Sequence, residues 1–186
     1  MSAGARLFVA ADPPPSVCEQ LARWARGALR AAHRPGLRVL DPERLHITLC
    51  FLGSRPLEEI DEIAAAVRAC AAEAPLTAAL SLGAPLWLPP RRPRVLAVEV
   101  HDPAGELADL AALITRRLQS QIDWTPQRGR FRPHLTVARL RAGAAPQRRE
   151  LAFTPALDFD AEAVSLYRSY LRPSGSEYIT IARVPE

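Results

Sequence analysis

The chain has 186 residues, 48% of them apolar, with a formal net charge of +4 and a pI near 9.5. That length supports one domain with a substantial core, or two small lobes that share one, and no apolar run is long enough to span a bilayer. All 24 basic residues are arginine; the charge suits an anionic partner such as RNA, while the lack of lysine excludes a P-loop lysine, a Schiff base and an adenylyl-lysine ligase.

In chain order, Met1 to Arg6 show no basic region followed by an apolar stretch, so a cytoplasmic location without a secretory signal is expected. Arg6-Leu7-Phe8-Val9-Ala10-Ala11 predicts a strand that ends at Asp12-Pro13-Pro14-Pro15, where prolines suit a turn and a first helical position. Val17, Leu21, Trp24, Ala25, Ala28 and Leu29 follow at helical spacing, and His33-Arg34-Pro35-Gly36 stops that helix. Extended segments are predicted at Val39-Leu40 and from Leu45 to Leu52, then a turn at Gly53-Ser54-Arg55-Pro56. Glu58, Glu59, Asp61 and Glu62 favour a helix start, since carboxylates suit the positive end of the dipole. Ile60, Ile63, Ala64, Val67, Cys70 and Ala71 give that helix one buried face. Residues 78–82 and 84–88 predict strand pieces, and Pro89-Pro90-Arg91-Arg92-Pro93 a stiff basic loop.

A second round begins at Val95-Leu96-Ala97-Val98-Glu99-Val100 and reaches Asp102-Pro103, expected as N-cap and first helical residue. Leu107, Leu110, Ala111, Ile114, Leu118 and Ile122 trace its helix. A loop around Trp124-Thr125-Pro126 leads to Phe131-Arg132-Pro133, and residues 164–170 and 178–184 predict a closing hairpin across Arg172-Pro173-Ser174-Gly175. The three cysteines, Cys18, Cys50 and Cys70, lack CxxC spacing and read as reduced core residues.

The pattern His-x-Thr-apolar occurs twice, as His46-Ile47-Thr48-Leu49 and His134-Leu135-Thr136-Val137. With four His and seven Thr in the chain, chance gives roughly 0.15 His-x-Thr matches. In a strand, His and Thr of each copy project to one face and the apolar residues to the other. The Asp-Pro pairs lie 90 positions apart and the motif histidines 88, so strand, Asp-Pro, helix, loop and motif strand recur at nearly constant offset. We read one bilobal domain over 1–186 with an internal repeat of approximately 6–88 and 94–184. Such a chain needs no partner to complete its site, and a monomer is expected.

Two same-face imidazoles can act as a base and an acid near neutral pH, the two services that displacement at a phosphodiester requires. Threonine hydroxyls can donate to non-bridging oxygens, where charge builds in the transition state. His33 and His101 have no such partner and read as a helix end and a loop neighbour of Asp102. Neither His-x-x-x-His nor clustered cysteines are present, so zinc chemistry is not expected.

These residues resemble the 2H phosphoesterase superfamily and, more narrowly, the RNA 2′,3′-cyclic phosphodiesterases historically called 2′-5′ RNA ligases. The matching stretches are Arg6 to Ala10, Leu45 to Gly53, Arg92 to Leu96, Phe131 to Arg139, and Leu166-Tyr167-Arg168-Ser169 with Gly175 and Tyr178. The resemblance implies an α+β fold with two mostly antiparallel sheets flanking a central cleft and helices outside. It implies metal-free hydrolysis of RNA 2′,3′-cyclic phosphate ends, transfer RNA fragments among them, to 2′-phosphomonoesters. His46 would be the proton donor and His134 the acceptor, with Thr48 and Thr136 holding phosphate and no cofactor. ATP-independent 2′-5′ ligation is the same chemistry reversed. A non-catalytic basic RNA-binding module is the contrasting reading, and it calls for aromatics on an exposed sheet face, whereas the aromatics here mostly fit apolar stripes. Arg132 shares strand parity with His134. Arg139 stands where the family can carry a phosphate-binding arginine, but on the opposite face unless a bulge intervenes; a solvated-surface role competes for both. Phe51 could stack on a base, but its parity with Ile47 and Leu49 favours core packing.

Overall fold

The computed structural model describes residues 4–32, 36–127, 129–141, 144, 151–172 and 175–185. The expected helix stop at His33-Arg34-Pro35 and the hairpin residues Pro173-Ser174 lie outside the described residues. In chain order the elements are β1 (Gly4–Asp12), α1 (Pro15–Ala31), β2 (Leu37–Val39), β3 (Ile47–Pro56), α2 (Ile60–Glu73), β4 (Leu80–Leu88), β5 (Val95–His101), α3 (Glu106–Gln121), β6 (His134–Leu140), β7 (Asp158–Phe159), β8 (Ala163–Arg172) and β9 (Gly175–Val184).

This is a mixed α+β fold whose strands pair antiparallel in the order β7-β4-β5-β6-β3-β1-β8-β9, with β2 added to β6. The two expected sheets are hydrogen-bonded into one, but only through a single pair, Ile47 with Leu135. Outward from that seam the halves match: a motif strand, the first strand of its round, then a strand from the other half of the chain. Thus β4 pairs with β5 and β8 with β1, so each half of the sheet is completed by the other half of the sequence.

One sheet face and the helices make the core. Leu7, Val9, Ile47, Val98 and Leu135 of the strands join Leu21, Ile63, Val67, Leu110, Ile114 and Leu118 of the helices in one buried cluster. Burying aliphatic side chains of this size is worth about 1.5–3 kcal/mol each, which anchors both halves to a shared layer. The other sheet face is left for the motif side chains.

Several local expectations are corrected. Asp102 is not the N-cap of α3, which starts at Glu106 behind Gly105, a residue at φ 78. Asp102 instead reaches forward, its Oδ2 accepting the Leu107 and Ala108 amides at 3.0 and 3.4 Å. Asp12 makes no cap on α1, which opens on Pro15 without one. Its carboxylate is buried and accepts Ser165 Oγ at 2.6 Å, Tyr167 OH at 2.9 Å and Arg183 Nη1 at 3.4 Å. Gly53 to Pro56 is not a turn: β3 runs on, with Gly4 opposite Pro56. Gly53, at φ 73, absorbs a bulge in which Leu7 faces Gly53 and Phe8 faces Phe51. The two strand pieces at 78–88 are one strand with an irregularity before Pro85.

Two further bulges decide the site. Val9 faces Cys50 and Ala10 faces Thr48, leaving Leu49 extra on β3. Leu96 faces Ala138 and Ala97 faces Thr136, leaving Val137 extra on β6. Leu49 and Cys50 both turn inward, as do Val137 and Ala138. The alternation therefore slips by one, and the residue five after each motif histidine, Phe51 or Arg139, emerges on the histidine face.

Candidate active site

Ile47 and Leu135 are fully buried on the core side of the seam. Continuing their antiparallel register by one residue sets His46 opposite Thr136 and Thr48 opposite His134, all four projecting to the other face. The doubled motif thus becomes one cross-strand constellation around the seam.

Each imidazole is held the same way. His46 Nδ1 lies 2.9 Å from the Arg44 carbonyl, and His134 Nδ1 lies 2.8 Å from the Arg132 carbonyl. A carbonyl can only accept, so Nδ1 carries the proton and Nε2 is left to exchange one with a ligand. Sequence reasoning did not find these two carbonyls, because a main-chain acceptor leaves no mark in residue type. Neither threonine hydroxyl has a protein partner among the described residues, so both are open to a bound oxyanion.

The surroundings differ. His46 stacks against Phe8, ring centroids 4.7 Å apart, and meets the edge of Tyr178 at 5.3 Å. Tyr167 backs Phe8 at 5.2 Å, and its hydroxyl is tied to Asp12. Burial among these rings pushes His46 down to about 4; the Arg44 carbonyl opposes this, and the charges of Arg139 and His134 add to it. Phe8, Tyr167 and Tyr178 are neighbours of His46 that apolar-stripe reasoning assigned to packing. Phe51, expected in the core, is 40% exposed with its ring 5.9 Å from Phe8; the Leu49 bulge is the reason.

His134 instead borders a gap. Beyond the seam the motif strands part on this side, and a cleft of about 580 Å³ opens between Thr48 to Phe51, Gly129 to His134, and the Ala108 to Arg116 face of α3. On the opposite side β2 fills the equivalent space by pairing with β6. Arg132 lines the cleft but its guanidinium is engaged with Glu99 Oε1 at 3.0 and 3.2 Å. Arg139, brought round by the Val137 bulge, is exposed and close enough for its charge to act on His46. His101 ends β5, away from this cluster.

Cys18, Cys50 and Cys70 are buried, Cys50 in the wall of the cleft, and burial raises all three, Cys18 to about 12 and Cys50 to about 11. Among the described residues no three His, Cys, Asp or Glu side chains come together as a metal site, and no helix is long and apolar enough to cross a membrane.

Known proteins resemble this chain in sequence and in fold. A family model described as the 2′-5′ RNA ligase superfamily matches residues 13–172. A Thermus thermophilus protein named RNA 2′,3′-cyclic phosphodiesterase is 31% identical, over 96% of this chain and 88% of its own. An Escherichia coli protein of the same name is 33% identical over 75% and 74%. Among solved structures, one from Thermus thermophilus has a TM-score of 0.78 at 26% identity, covering 96% of both chains. Escherichia coli LigT complexed with 3′-AMP has a TM-score of 0.73 at 24% identity, covering 97% of both, and shares the fold. With its paired histidine strands and a family match over most of its length, the chain belongs to the 2′-5′ RNA ligase superfamily and is a 2H phosphoesterase.

Proposed function

We propose that this protein hydrolyses RNA 2′,3′-cyclic phosphate ends to 2′-phosphomonoesters, without a metal, by acid–base catalysis from His46 and His134. The observation that carries this is the matched pair of Nδ1–carbonyl bonds, which leave two Nε2 atoms of the same tautomer on one sheet face. The proteins of this name at 31 and 33% identity support the substrate class.

In this reading His134, beside the open gap, takes a proton from water as the water oxygen attacks phosphorus. The bond from phosphorus to the 3′ oxygen breaks, and that oxygen takes a proton from His46. Thr48, Thr136 and Arg139 hold the non-bridging oxygens, where preorganised donors act on developing charge. His46 is depressed to about 4 in the free protein, so it needs the bound phosphate anion, and the neutralisation of Arg139 by it, to carry its proton into the reaction. Arg132, paired with Glu99, supplies its carbonyl to His134 rather than a free cation. A single bilobal domain with an internal repeat of 6–88 and 94–184 belongs to the same reading, supported by the matching strand order outward from the seam.

Ligation is a second reading that one observation favours: the gap beside His134, about 580 Å³, exceeds what a water needs and has room for a nucleoside bearing a 5′-hydroxyl. The non-catalytic reading gains the exposed Phe51 but gives no reason for two tautomer-locked histidines. The test is a short RNA ending in a 2′,3′-cyclic phosphate, incubated with protein and chelator. A 2′-phosphate product is expected; no turnover, or a 3′-phosphate product, would sink the reading.

A further inference from the structure

His46 is wedged between the face of Phe8 and the edge of Tyr178, so packing as well as the Arg44 carbonyl fixes its ring. His134 meets no aromatic ring among the described residues and borders the open cleft. Its orientation therefore depends on the Arg132 carbonyl, 2.8 Å from Nδ1. The two carbonyls are also anchored differently. Arg44 ends a short 3-10 helix, Pro42–Arg44, in which its own amide donates to the Asp41 carbonyl at 3.0 Å and the Leu45 amide to the Pro42 carbonyl at 3.0 Å. Arg132 lies in the irregular approach to β6, where its main chain bonds to no other main-chain group among the described residues. Pro133 confines it to extended backbone, a range still wider than a well-aimed hydrogen bond tolerates.

The Arg132 side chain supplies the missing anchor. Its Nε and Nη2 both donate to Glu99 Oε1, at 3.2 and 3.0 Å, which fixes the guanidinium against β5. Glu99 stands in that strand between Val98 and Val100, both buried in the core. It is the cross-strand partner of His134. The Val100 amide on the Pro133 carbonyl at 3.1 Å makes theirs the non-hydrogen-bonded type of antiparallel pair, in which side chains on one face stand closer. Arg132 in turn neutralises Glu99, so the anchor adds no net negative charge where a phosphate must bind. Given the reading of His134 as proton acceptor, on which this rests, we propose that Glu99 is a positioning residue for His134. By holding the Arg132 guanidinium it steadies the carbonyl that keeps a proton on Nδ1 and leaves Nε2 aimed at the attacking water.

The test compares wild type with Glu99→Ala, Glu99→Gln, Arg132→Ala and the double alanine variant. Each is assayed on a short RNA ending in a 2′,3′-cyclic phosphate, and the His134 ring is followed by nitrogen NMR in alkaline buffer, where it is neutral. Glu99→Ala should lower kcat about tenfold with KM within about twofold, a smaller loss than that of His134 itself, because the base is present but misaimed. The side chains of Arg132 and Glu99 are 53% and 32% exposed, so the thermal midpoint should hardly move. Glu99→Gln keeps an oxygen for the guanidinium and should retain most of the rate; equal losses in Gln and Ala would overturn the positioning role in favour of charge alone. The double variant should be no slower than either single one, whereas additive losses would overturn the link through Arg132. In the spectrum, wild type should carry its proton on Nδ1 and Glu99→Ala should show a mixture of tautomers; an unchanged tautomer would overturn the proposal. No turnover by wild type would overturn the phosphodiesterase reading, and the tautomer readout would still decide whether Glu99 positions the ring.

Discussion

His46 and His134 occupy copies of one motif on adjacent strands, and each is locked by the carbonyl two residues before it. Their second neighbours part them. His46 is enclosed by Phe8, Tyr167 and Tyr178, while His134 borders an open cleft. The residue five further on is Phe51 in one half and Arg139 in the other. Backbone symmetry thus supplies two like tautomers, and side-chain asymmetry gives them unlike surroundings. A duplicated scaffold can serve a reaction that needs one donor and one acceptor because solvation differs between its halves.

The largest expected effect comes from removing either histidine. His46→Ala and His134→Ala should each lower kcat by about 10²–10⁴-fold with the thermal midpoint and circular dichroism little changed. A loss confined to one of them would break the paired reading. Next, Thr48→Val and Thr136→Val keep shape and strand propensity while removing a donor, and each should cost about a hundredfold in kcat. An unchanged rate in both would remove the threonines from the phosphate site.

Stability sharpens the same contrast. With His46 held at about 4 in the folded protein against about 6.5 unfolded, the unfolded chain binds more protons between those values. Stability from this group is therefore complete above pH 6.5 and lost as pH falls towards 4, by up to about 3 kcal/mol. Asp12, whose burial raises its carboxyl, acts in the opposite sense, so the His46 part is read as the difference between wild-type and His46→Phe urea midpoints across that range. Identical slopes would contradict an enclosed, neutral His46. The smallest effect is that of Tyr178→Leu, which opens one wall of the ring cluster and should move the His46 NMR titration upward by less than one pH unit; no movement would deny that ring a part in its desolvation.

Helix positions, most strands in their succession along the chain and the motif pair were legible because they depend on periodicity and on residue types that chance seldom repeats. What was not legible came from the points where periodicity slips. Leu49 and Val137 are unremarkable strand residues, yet each is a bulge that re-aims everything after it. Strict alternation accordingly placed Phe51 in the core and left Arg139 on the wrong face, and no local residue betrays the slip. Asp12 and Asp102 show the reverse limit: identical Asp-Pro pairs, one buried under Ser165 and Tyr167 and one feeding the amides of α3. Their roles are set by strands more than 150 residues away in the first case and by the next turn in the second. The aromatic cluster on His46 draws on β1, β8 and β9, an assembly visible only once β8 is seen to complete the first half of the sheet.

The unlike roles of the two histidines can be tested by changing the leaving atom. A cyclic substrate with sulfur in place of the 3′ oxygen expels a thiolate, which needs no proton because thiols ionise near 8.5, far more readily than alcohols. On that substrate His46→Ala should recover most of the wild-type rate, while His134→Ala should remain as impaired as on the oxygen substrate. Recovery by His134→Ala in place of His46→Ala, or by neither, would contradict the assignment of His46 as donor and His134 as acceptor.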